Sequence, residues 1–323
     1  MALGEFALIA RYFSAVGAAR ADVRVGVGDD AAVLQCPPDA QLVAAIDTLV
    51  EGVHFPAGSA PQSIGHRALA VNLSDLAAMG ARPAWALLAL TLPRAEERWL
   101  EDFARGFDAL ARRHDLALVG GDTTRGPLCV SVQVLGFAPQ GRILLRGGAR
   151  LGDALYVTGH PGDAACGLGL EQGTLAGVAA EDAQYLRARF LYPEPRVEWG
   201  TWLIGRASAC IDVSDGLLGD AAKLAAASAC GVQLDVERLP LSGALRRACG
   251  AEQALRFALS GGDDYELLFT VPQPRVAHFE QEAAAGAIAC SRIGTLCAGG
   301  PAQLRRAGNV IEFSHSGYDH FAL

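Results

Sequence analysis

Apolar and polar positions alternate along the chain in a way that predicts helices separated by short strands. Near the start, Phe6, Ile9 and Phe13 recur at helical intervals, so this segment is expected to pack one face of a helix on the body of the protein. The same periodicity predicts helices over residues 63–79 and 95–114, and a glycine and a proline follow the first of them.

Short apolar runs between these segments predict strands over residues 32–34, 42–47, 84–92, 117–119 and 128–137. Strands that alternate with helices indicate an α/β layer for the first ~140 residues. A second α/β pattern begins at Asp153, after a stretch rich in glycine and arginine that we take as the junction. We therefore expect two domains, residues 1–146 and residues 147–323.

The composition favours a packed globule. Hydrophobic residues make up 51% of the 323 residues and charged residues 19%. The N-terminal sequence has no basic region followed by an apolar run, and no stretch approaches the roughly 18 apolar residues of a membrane span. We therefore expect a cytoplasmic protein without membrane contact. The net charge of -8 argues against a nucleic-acid partner.

Cysteine and lysine add two constraints. The eight cysteines contain no CxxC pair, so we expect buried small side chains rather than zinc ligands. Lys223 is the sole lysine of the chain and lies in an alanine-rich segment that predicts the middle of a helix. A mechanism that needs a lysine on a phosphate therefore has one candidate.

The aspartates carry the clearest chemical signal. Many stand where apolar strands are predicted to end, most of them beside or near glycines: Asp29, Asp30, Asp47, Asp122, Asp212, Asp215, Asp263 and Asp264. An aspartate next to a glycine is often only a turn former or a helix cap. Their repetition favours a second interpretation, in which Mg²⁺ stands between carboxylates and the phosphates of a ligand, because this ion takes one or two carboxylates and keeps several waters.

Three further residues are candidates with a structural alternative. Asp75 shares a predicted helical face with small and apolar residues, where it is either a metal ligand or a solvated side chain. His54 follows Asp47 by seven residues and is either a ligand contact or a structural histidine. Arg146, flanked by glycine, suits bidentate binding of phosphate and equally suits a solvated linker.

Several common motifs are missing from the sequence. It contains no GxxxxGK[ST], no HExxH and no GxSxG. Residues 26–31 match the relaxed dinucleotide pattern GxGxxA, but two aspartates would face the pyrophosphate there, which disfavours that interpretation. An ATP site in this chain would therefore not be a P-loop.

Taken in order, these segments resemble the thiamine-monophosphate kinase family, within the aminoimidazole ribonucleotide synthetase-like superfamily. The resemblance covers nearly the whole chain and is carried by GEF at 4–6, GVGDDAAV at 26–33, DTLVEGVHF at 47–55, NLSDLAAMGARP at 72–83, GGDTT at 120–124, YPEPR at 192–196, DVSDGL at 212–217, SGGDDYEL at 260–267 and GYDHF at 317–321. It implies a two-domain α/β (α+β) fold with mixed sheets flanked by helices, whose N-terminal domains pair in a homodimer. It also implies transfer of the ATP γ-phosphoryl group to thiamine monophosphate, which gives thiamine diphosphate.

The resemblance also implies a role for each matching position. Magnesium ions would be held by Asp30, Asp47, Asp75, Asp122, Asp212 and Asp215. ATP would contact Gly121, Asp122, Arg146 and Ser214. The thiamine end would meet His54, one of Asp263 or Asp264, and Tyr318. Asp75, Asp122 and Asp212 would be the catalytic set.

Two adjacent positions depart from the family pattern. Just before Asp47, where family members tend to carry Ser or Thr, this chain has Ala45 and Ile46. Only backbone carbonyls or waters could serve a metal at those two positions.

Two other functions remain compatible with the same resemblance. An aminoimidazole ribonucleotide synthetase-type ATP-dependent ligase shares the superfamily, and a thiamine-phosphate-binding module without turnover would keep the fold. The presence of every aspartate favours the kinase over the binding module, and the ligase remains the alternative enzyme.

Overall fold

The computed structural model describes residues 4–286 and 288–313 and divides the chain into two compact units. The first unit contains Met1–Leu76 and Ala81–Gly141, and the second contains Ala77–Gly80 and Arg142–Leu323.

The first unit is built around a four-stranded sheet. The elements up to Pro139 are α1 (Glu5–Tyr12), β1 (Val23–Val25), β2 (Val33–Leu34), β3 (Ala40–Val50), α2 (Pro61–Ala78), β4 (Arg82–Leu92), α3 (Glu97–Arg113), β5 (Ala117–Arg125) and β6 (Cys129–Pro139). The sheet order is β3-β6-β4-β5, and β1 and β2 form a separate ribbon. β4 and β5 are parallel because α3 crosses between them, and the other pairs are antiparallel.

Helices cover one face of this sheet. Along β6, Val130, Val132 and Val134 are fully buried, whereas the residues between them are only half-buried. Alternation of this kind means that one face packs on a core. Leu76 of α2 lies over Gly136 on the buried face.

Among the residues that the structure describes, the opposite face is covered only at one end. There the β1–β2 ribbon packs against Trp85, whose indole Nε1 donates to Asp22 Oδ1 (3.1 Å) and whose ring lies edge-on to Phe137. Beyond the ribbon, Leu42 and Ile46 of β3 are 49% and 63% exposed. We call this apolar region, marked by Leu42 and Ile46, the open sheet face.

The second unit contains a seven-stranded sheet. Its elements are β7 (Ala154–Thr158), α4 (Asp163–Glu171), α5 (Ala180–Leu191), α6 (Val197–Leu203), β8 (Ala209–Val213), α7 (Leu217–Ala227), β9 (Gly231–Asp235), α8 (Gly243–Ser260), β10 (Glu266–Val271), α9 (Val276–Ala285), β11 (Cys290–Cys297), β12 (Gln303–Arg306) and β13 (Asn309–Ile311). The strand order is β13-β12-β9-β11-β7-β10-β8. Only the β12–β9 pair is parallel among the pairs of this sheet that the structure describes.

Helices cover both faces of the β7, β10 and β8 end of this sheet, so these strands are buried along their whole length. On one face, Leu155 and Leu268 join the core formed with α7. On the other face, Tyr156 and Phe269 stack on each other and contact Phe279 of α9.

The predicted mixed α/β class is confirmed, and the predicted helices and strands are present. Two strands extend further than the apolar runs suggested, because β3 continues to Val50 and β5 to Arg125. Asp47 and Asp122 therefore lie inside strands rather than at their ends. Apolar runs mark only the buried part of a strand, and the end of β5 is polar and mostly exposed. Within the described ranges, no helix has the length and apolar character needed to cross a bilayer.

The cysteines are less uniform than predicted. Cys166 and Cys210 are buried, Cys36 is exposed, the others are half-buried, and all are free thiols. The prediction is wrong for Cys36 because this residue lies in the polar turn between β2 and β3.

Helices α2 and α3 pack closely at two glycines. A Cβ on Gly106 of α3 would lie 1.9 Å from the carbonyl oxygen of Gln62, and one on Gly65 of α2 would lie 2.2 Å from that of Phe103. We expect Gly106→Ala to force the helices apart and lower the free energy of unfolding by about 1–3 kcal/mol, the usual range for overpacking. Urea denaturation followed by circular dichroism measures this. Gly299→Ala, where a Cβ meets no atom within 4 Å, is the control, and equal stability of the two variants would contradict the close packing.

Candidate functional site

Asp47 lies on the edge strand β3 and is tied to helix α2. Its backbone N–H donates to Asn72 Oδ1 (2.9 Å), and Asn72 Nδ2 donates to the carbonyl of Ala68 one turn earlier (2.9 Å). Asn72 is fully buried, so the bond fixes the strand against the helix. The Asp47 side chain is half-buried.

Asp75 follows Asn72 by one helical turn, so α2 presents both residues on one side. Its neighbours Ser74 and Leu76 are fully buried, but Asp75 itself is half-buried. The carboxylate therefore stands at the boundary between core and solvent. Through Asn72, the structure brings Asp47 and Asp75 to the same side of the first unit.

Asp122 is exposed and occupies a different face. The register pairs Asp122 with Ala89, Ala89 with Ser131, and Ser131 with Thr48. The hydroxyls of Thr48 and Ser131 are 2.7 Å apart, so this row shares one face of the sheet. Because neighbouring residues of a strand alternate, Asp47 and Asp122 point to opposite faces. The register does not bring these two carboxylates together.

Gly121 leaves the backbone open beside Asp122. Its φ is +152°, and a Cβ there would lie 1.8 Å from the carbonyl oxygen of Leu88. A side chain cannot be accommodated at this point, so glycine is required. Gly121 is itself exposed, so a ligand can reach its main chain from the solvent side.

Asp30 and His54 lie in turns of the first unit. The Asp30 N–H donates to Asp29 Oδ1 (2.8 Å), and the Asp30 side chain is exposed. His54 Nδ1 accepts the N–H of Val50 (3.0 Å), which closes the turn after β3. Because Nδ1 is the acceptor, Nε2 carries the ring proton and is the nitrogen that can donate to a ligand.

The two positions before Asp47 face different ways. Ile46 is 63% exposed on the open sheet face, and its side chain points away from Asp47. Ala45 alternates to the side of Asp47. Of the two positions, only 45 would therefore place a hydroxyl beside Asp47, and the methyl group of alanine supplies no ligand atom.

In the second unit, strand β8 carries Asp212 into the loop that holds Ser214 and Asp215. Asp212 is 5% exposed and pairs in register with Leu267 of β10. Burial, and then the negative charge of Asp212, raise the pKa of the nearby Cys210 thiol. Cys210 is therefore an inert core residue rather than a nucleophile.

The loop after β8 is shaped by Asp220, in the first turn of α7. Asp220 is 1% exposed and accepts the N–H groups of Ser214 and Asp215 (3.0 Å each). Lys223 Nζ donates to Asp220 Oδ1 (2.9 Å) and forms an ion pair with Asp215. Burial raises the pKa of Asp220, and the hydrogen bond from Lys223 opposes that rise. The sole lysine lies in mid-helix, as predicted, and its ammonium group stands between two carboxylates.

The adjacent residues Asp263 and Asp264 have different surroundings. Asp264 is fully buried, and both of its carboxylate oxygens accept the N–H of Gly162 (2.9 and 2.8 Å) just before α4. Burial raises the pKa of Asp264 well above its ordinary value. Asp263 is half-buried, and its Oδ1 accepts the hydroxyl of Tyr265 (3.1 Å). These surroundings favour Asp263 over Asp264 as a ligand contact.

A buried ion-pair cluster lies next to this loop. Glu266 is fully buried and accepts hydrogen bonds from Arg196 (2.6 and 2.7 Å), Arg189 (2.7 Å) and Thr158 Oγ1 (2.6 Å). Burial on its own would raise the pKa of Glu266, but the Arg196 hydrogen bonds and the two positive charges outweigh it and hold that pKa below its ordinary value. The cluster joins the YPEPR segment to the SGGDDYEL segment.

The two remaining candidates give less information. Arg146 is exposed in the segment before β7, and its carbonyl accepts Ser228 Oγ (3.3 Å). Tyr318 lies outside the described residues.

The donor set fits magnesium better than a metal that needs a protein cage. In the part of the chain that the structure describes, no three His, Cys, Asp or Glu side chains are grouped so as to hold a metal ion. Mg²⁺ needs only one or two carboxylates, because waters and substrate phosphates complete its octahedron. The half-buried carboxylates of Asp47 and Asp75 meet that requirement.

Sequence reasoning missed three residues that shape these loops: Asn72, Asp220 and Tyr265. Asp220 had a local signal, because it precedes Lys223 by three residues at helical spacing. Asn72 and Tyr265 belong to the motifs at 72–83 and 260–267. No sequence signal indicated their contacts, because these depend on how a strand meets a helix and on the course of a loop.

Comparison with known families matches both halves of the chain. Residues 28–138 match the family model of AIR synthase related protein, N-terminal domain, and residues 150–305 match that of AIR synthase related protein, C-terminal domain.

Individual relatives extend this likeness to the full length. The chain is 48% identical over 323 residues to thiamine-monophosphate kinase of Escherichia coli K12, which covers 100% of this chain and 99% of the relative. The crystal structure of thiamine-monophosphate kinase from Stenotrophomonas maltophilia K279a is similar with a TM-score of 0.84 and 47% identity, over 90% of this chain and 93% of that one. A structure described as AaThiL complexed with AMPPCP and TMP is similar with a TM-score of 0.77 and 33% identity, over 88% and 89% of the two chains.

The Glu266 cluster generates a prediction about stability. Glu266→Gln leaves Arg189 and Arg196, whose side chains are 14% and 19% exposed, facing a neutral amide. We expect the free energy of unfolding near neutral pH to fall by about 3–5 kcal/mol, as when one partner of a buried ion pair is removed. Denaturant unfolding measures the loss, and Glu252→Gln, in an exposed pair with Arg306, is the control expected to change little.

The pH dependence of this loss has a defined sign. Because the folded state lowers the pKa of Glu266, the wild-type advantage is present above the ordinary value of 4.5 and disappears as the pH falls through the lower folded value. The difference between wild type and Glu266→Gln should therefore shrink in acid. A difference that stays constant across that range would show that the ion pair is not its source.

Proposed function

We propose a function from one premise: this chain belongs to the thiamine-monophosphate kinase family. It transfers the γ-phosphoryl group of ATP to thiamine monophosphate and releases thiamine diphosphate and ADP. The observation that carries this proposal is that the likeness to a named thiamine-monophosphate kinase runs through all 323 residues. The similar AaThiL is described in complex with AMPPCP, an ATP analogue, and TMP.

Each candidate residue has a role in this reaction. The carboxylates that would hold magnesium are those of Asp30, Asp47, Asp75, Asp122, Asp212 and Asp215, among which Asp75, Asp122 and Asp212 are the catalytic set. ATP contacts Gly121, Asp122, Arg146 and Ser214. The thiamine end contacts His54, Asp263 and Tyr318.

Positioning and charge neutralisation account for the chemistry. Magnesium bound to these carboxylates supplies the positive charge that lets two phosphorylated reactants approach. Arg146 donates to phosphate oxygens, and the main chain at Gly121 lets the nucleotide lie close. His54 Nε2–H and the Asp263 carboxylate hold the thiamine end. These contacts align an acceptor oxygen with the γ-phosphorus.

The acceptor needs no strong general base. The second pKa of a phosphate monoester is near ~6, so the phosphate of thiamine monophosphate is largely ionised near neutral pH. One of its oxygens forms the new bond to the γ-phosphorus, while the bond from that phosphorus to the β-phosphate oxygen of ATP breaks. The loops therefore need aspartates and an arginine rather than a catalytic histidine pair.

The domains divide the work in the same scheme. Residues 1–146 form an ATP- and magnesium-binding domain that pairs with the same domain of a second copy. Residues 147–323 form the C-terminal α/β domain, which carries the further candidates Asp212, Ser214 and Asp215. The open sheet face supports the homodimer, since it exposes the large apolar side chains of Leu42 and Ile46, and exposed apolar side chains that lie together occur at interaction surfaces. The supply of ATP places the reaction in the cytoplasm, and the scheme requires neither nucleic acid nor membrane.

Incubation with ATP, Mg²⁺ and thiamine monophosphate tests the function directly. We expect thiamine diphosphate and ADP in equal amounts, separated by chromatography. The same assay with formylglycinamidine ribonucleotide tests the ligase alternative, and calorimetric binding of thiamine monophosphate without turnover would indicate the binding module. If no thiamine diphosphate forms, the kinase proposal is wrong.

Within that assay, Asp75→Asn keeps the shape of the side chain and removes its charge. We expect turnover to fall about 100-fold or more, as when a group that stabilises transition-state charge is lost, with an unchanged circular dichroism spectrum. The control is Asp102→Asn on α3, where the carboxylate pairs with Arg105 on the same helix. Wild-type turnover of Asp75→Asn would exclude Asp75 from the metal-binding set.

The homodimer is tested at the open sheet face. Light scattering should give the wild type twice the 33.6 kDa mass of one chain. Ile46→Glu should shift it to the monomer, because a charge on an apolar interface is costly. Leu151→Glu is the matched control, since Leu151 and Ile46 are both 63% exposed. A monomeric wild type, or dissociation by both variants, would contradict pairing through this face.

A further inference from the structure

The backbone between α8 and β10 is bent in an unusual way. Gly262, Asp263 and Tyr265 all have positive φ, at 71°, 64° and 52°. Glycine adopts such angles freely, but aspartate and tyrosine do so only when the surrounding structure holds them there. Strained backbone of this kind clusters at ligand sites, where it presents a side chain in a fixed direction.

Two hydrogen bonds hold the bend against strand β8 and the loop that follows it. The Asp263 N–H donates to the carbonyl of Ser214 (2.8 Å), and the Tyr265 N–H donates to the carbonyl of Val213 (2.9 Å). A Cβ on Gly262 would lie 2.5 Å from the same Ser214 oxygen. The segment therefore lies too close to Ser214 for a side chain at 262.

Buried carboxylates fix the bend from its other side. Asp264, in the middle of the bend, accepts the N–H of Gly162, and Glu266, at its end, is bound by Arg189 and Arg196. Both carboxylates are fully buried. The one carboxylate of the segment that reaches toward solvent is that of Asp263, which is half-buried.

The tyrosine of the bend contacts that carboxylate. Tyr265 is 8% exposed, so its ring is fixed by packing, and its hydroxyl donates to Asp263 Oδ1 at 3.1 Å. Binding one oxygen in this way sets the direction of the second. The hydroxyl thus orients a group that the backbone has already brought to the surface.

We propose that Tyr265 is a positioning residue, which holds the Asp263 carboxylate toward the aminopyrimidine and thiazolium end of thiamine monophosphate. The proposal rests on the proposed function. A carboxylate repels the phosphate of this substrate and attracts its cationic ring and amino group, so Asp263 contacts the end remote from the reacting phosphate. Tyr265 acts only through Asp263 and touches no reacting atom.

The test removes the hydroxyl oxygen of Tyr265. Tyr265→Phe keeps the ring and deletes the hydrogen bond to Asp263. We expect the KM and the calorimetric Kd for thiamine monophosphate to rise about tenfold, the size expected for one hydrogen bond to a charged group. The kcat and the KM for ATP should stay near the wild-type values, a split that general unfolding would not produce.

A matched control exists in the same unit. The Tyr185 hydroxyl donates to Asp163 Oδ2 (2.7 Å), so Tyr185→Phe also deletes one tyrosine–aspartate bond. It should leave the KM for thiamine monophosphate unchanged. An equal rise in both variants would show a general effect on the unit and would overturn the proposal.

The Asp263→Ala background decides whether Tyr265 acts through Asp263. In that background, adding Tyr265→Phe should not weaken binding of thiamine monophosphate further, so the Kd values of the single Asp263→Ala and the double variant should agree. A further tenfold loss would overturn the proposal, as would wild-type Kd and KM for Tyr265→Phe. If the wild type neither binds nor turns over thiamine monophosphate, the proposed function fails as well, so the two failures are distinguished.

Discussion

One buried carboxylate, that of Glu266 at the start of strand β10, ties the surrounding segments together. An ionised carboxylate without water is costly unless its lone pairs are filled. Arg189, Arg196 and Thr158 fill them here. These partners lie on α5, just before α6 and on β7, so the charge of one side chain draws three elements to one point. The bend at 262–265 directly precedes Glu266 in the chain. Because Glu266 is held in place, the backbone of the bend keeps a positive φ at two residues other than glycine.

Burial distinguishes two kinds of aspartate in these loops, whereas Asp212, which is 5% exposed, and the exposed Asp30 and Asp122 belong to neither kind. Asp220 and Asp264 are almost inaccessible, and each has accepted backbone N–H groups that organise a loop. A carboxylate used in this way has little capacity left for a metal ion. Asp47, Asp75 and Asp215 are half-buried, which is the position that a ligand of hydrated magnesium needs, because most of the ion's partners are waters and phosphates. The Lys223 ammonium beside Asp215 shows that this part of the protein can accommodate a positive charge.

Much of the fold could be predicted from the periodicity of apolar residues, but only part of the site could be predicted in this way. The helix over 97–113 is strongly amphipathic, and its existence was predictable. The facing of Asp47 and Asp122 was not, because it depends on a register across four strands that local sequence does not encode. Sequence also left Asp263 and Asp264 equivalent, since adjacent aspartates look alike until the loop turns one of them toward the N–H of Gly162. The family could be assigned from the order of the motifs, because that order uses information from the whole chain. The role of a single residue depends on its contacts, which the order of motifs does not show.

The Ser214–Asp263 backbone bond has a consequence for phosphoryl transfer. In the proposed scheme Ser214 contacts the nucleotide and Asp263 contacts the thiamine end, and the Asp263 N–H lies 2.8 Å from the Ser214 oxygen. Contacts to donor and acceptor are thus joined by one hydrogen bond between main-chain atoms, which side-chain motion does not loosen. A reaction without a general base depends mainly on alignment, and a small displacement of the reactants is costly. The buried carboxylates of Asp264 and Glu266 fix the 262–265 bend. They therefore also hold in place Asp263, which contacts the substrate in the proposed scheme.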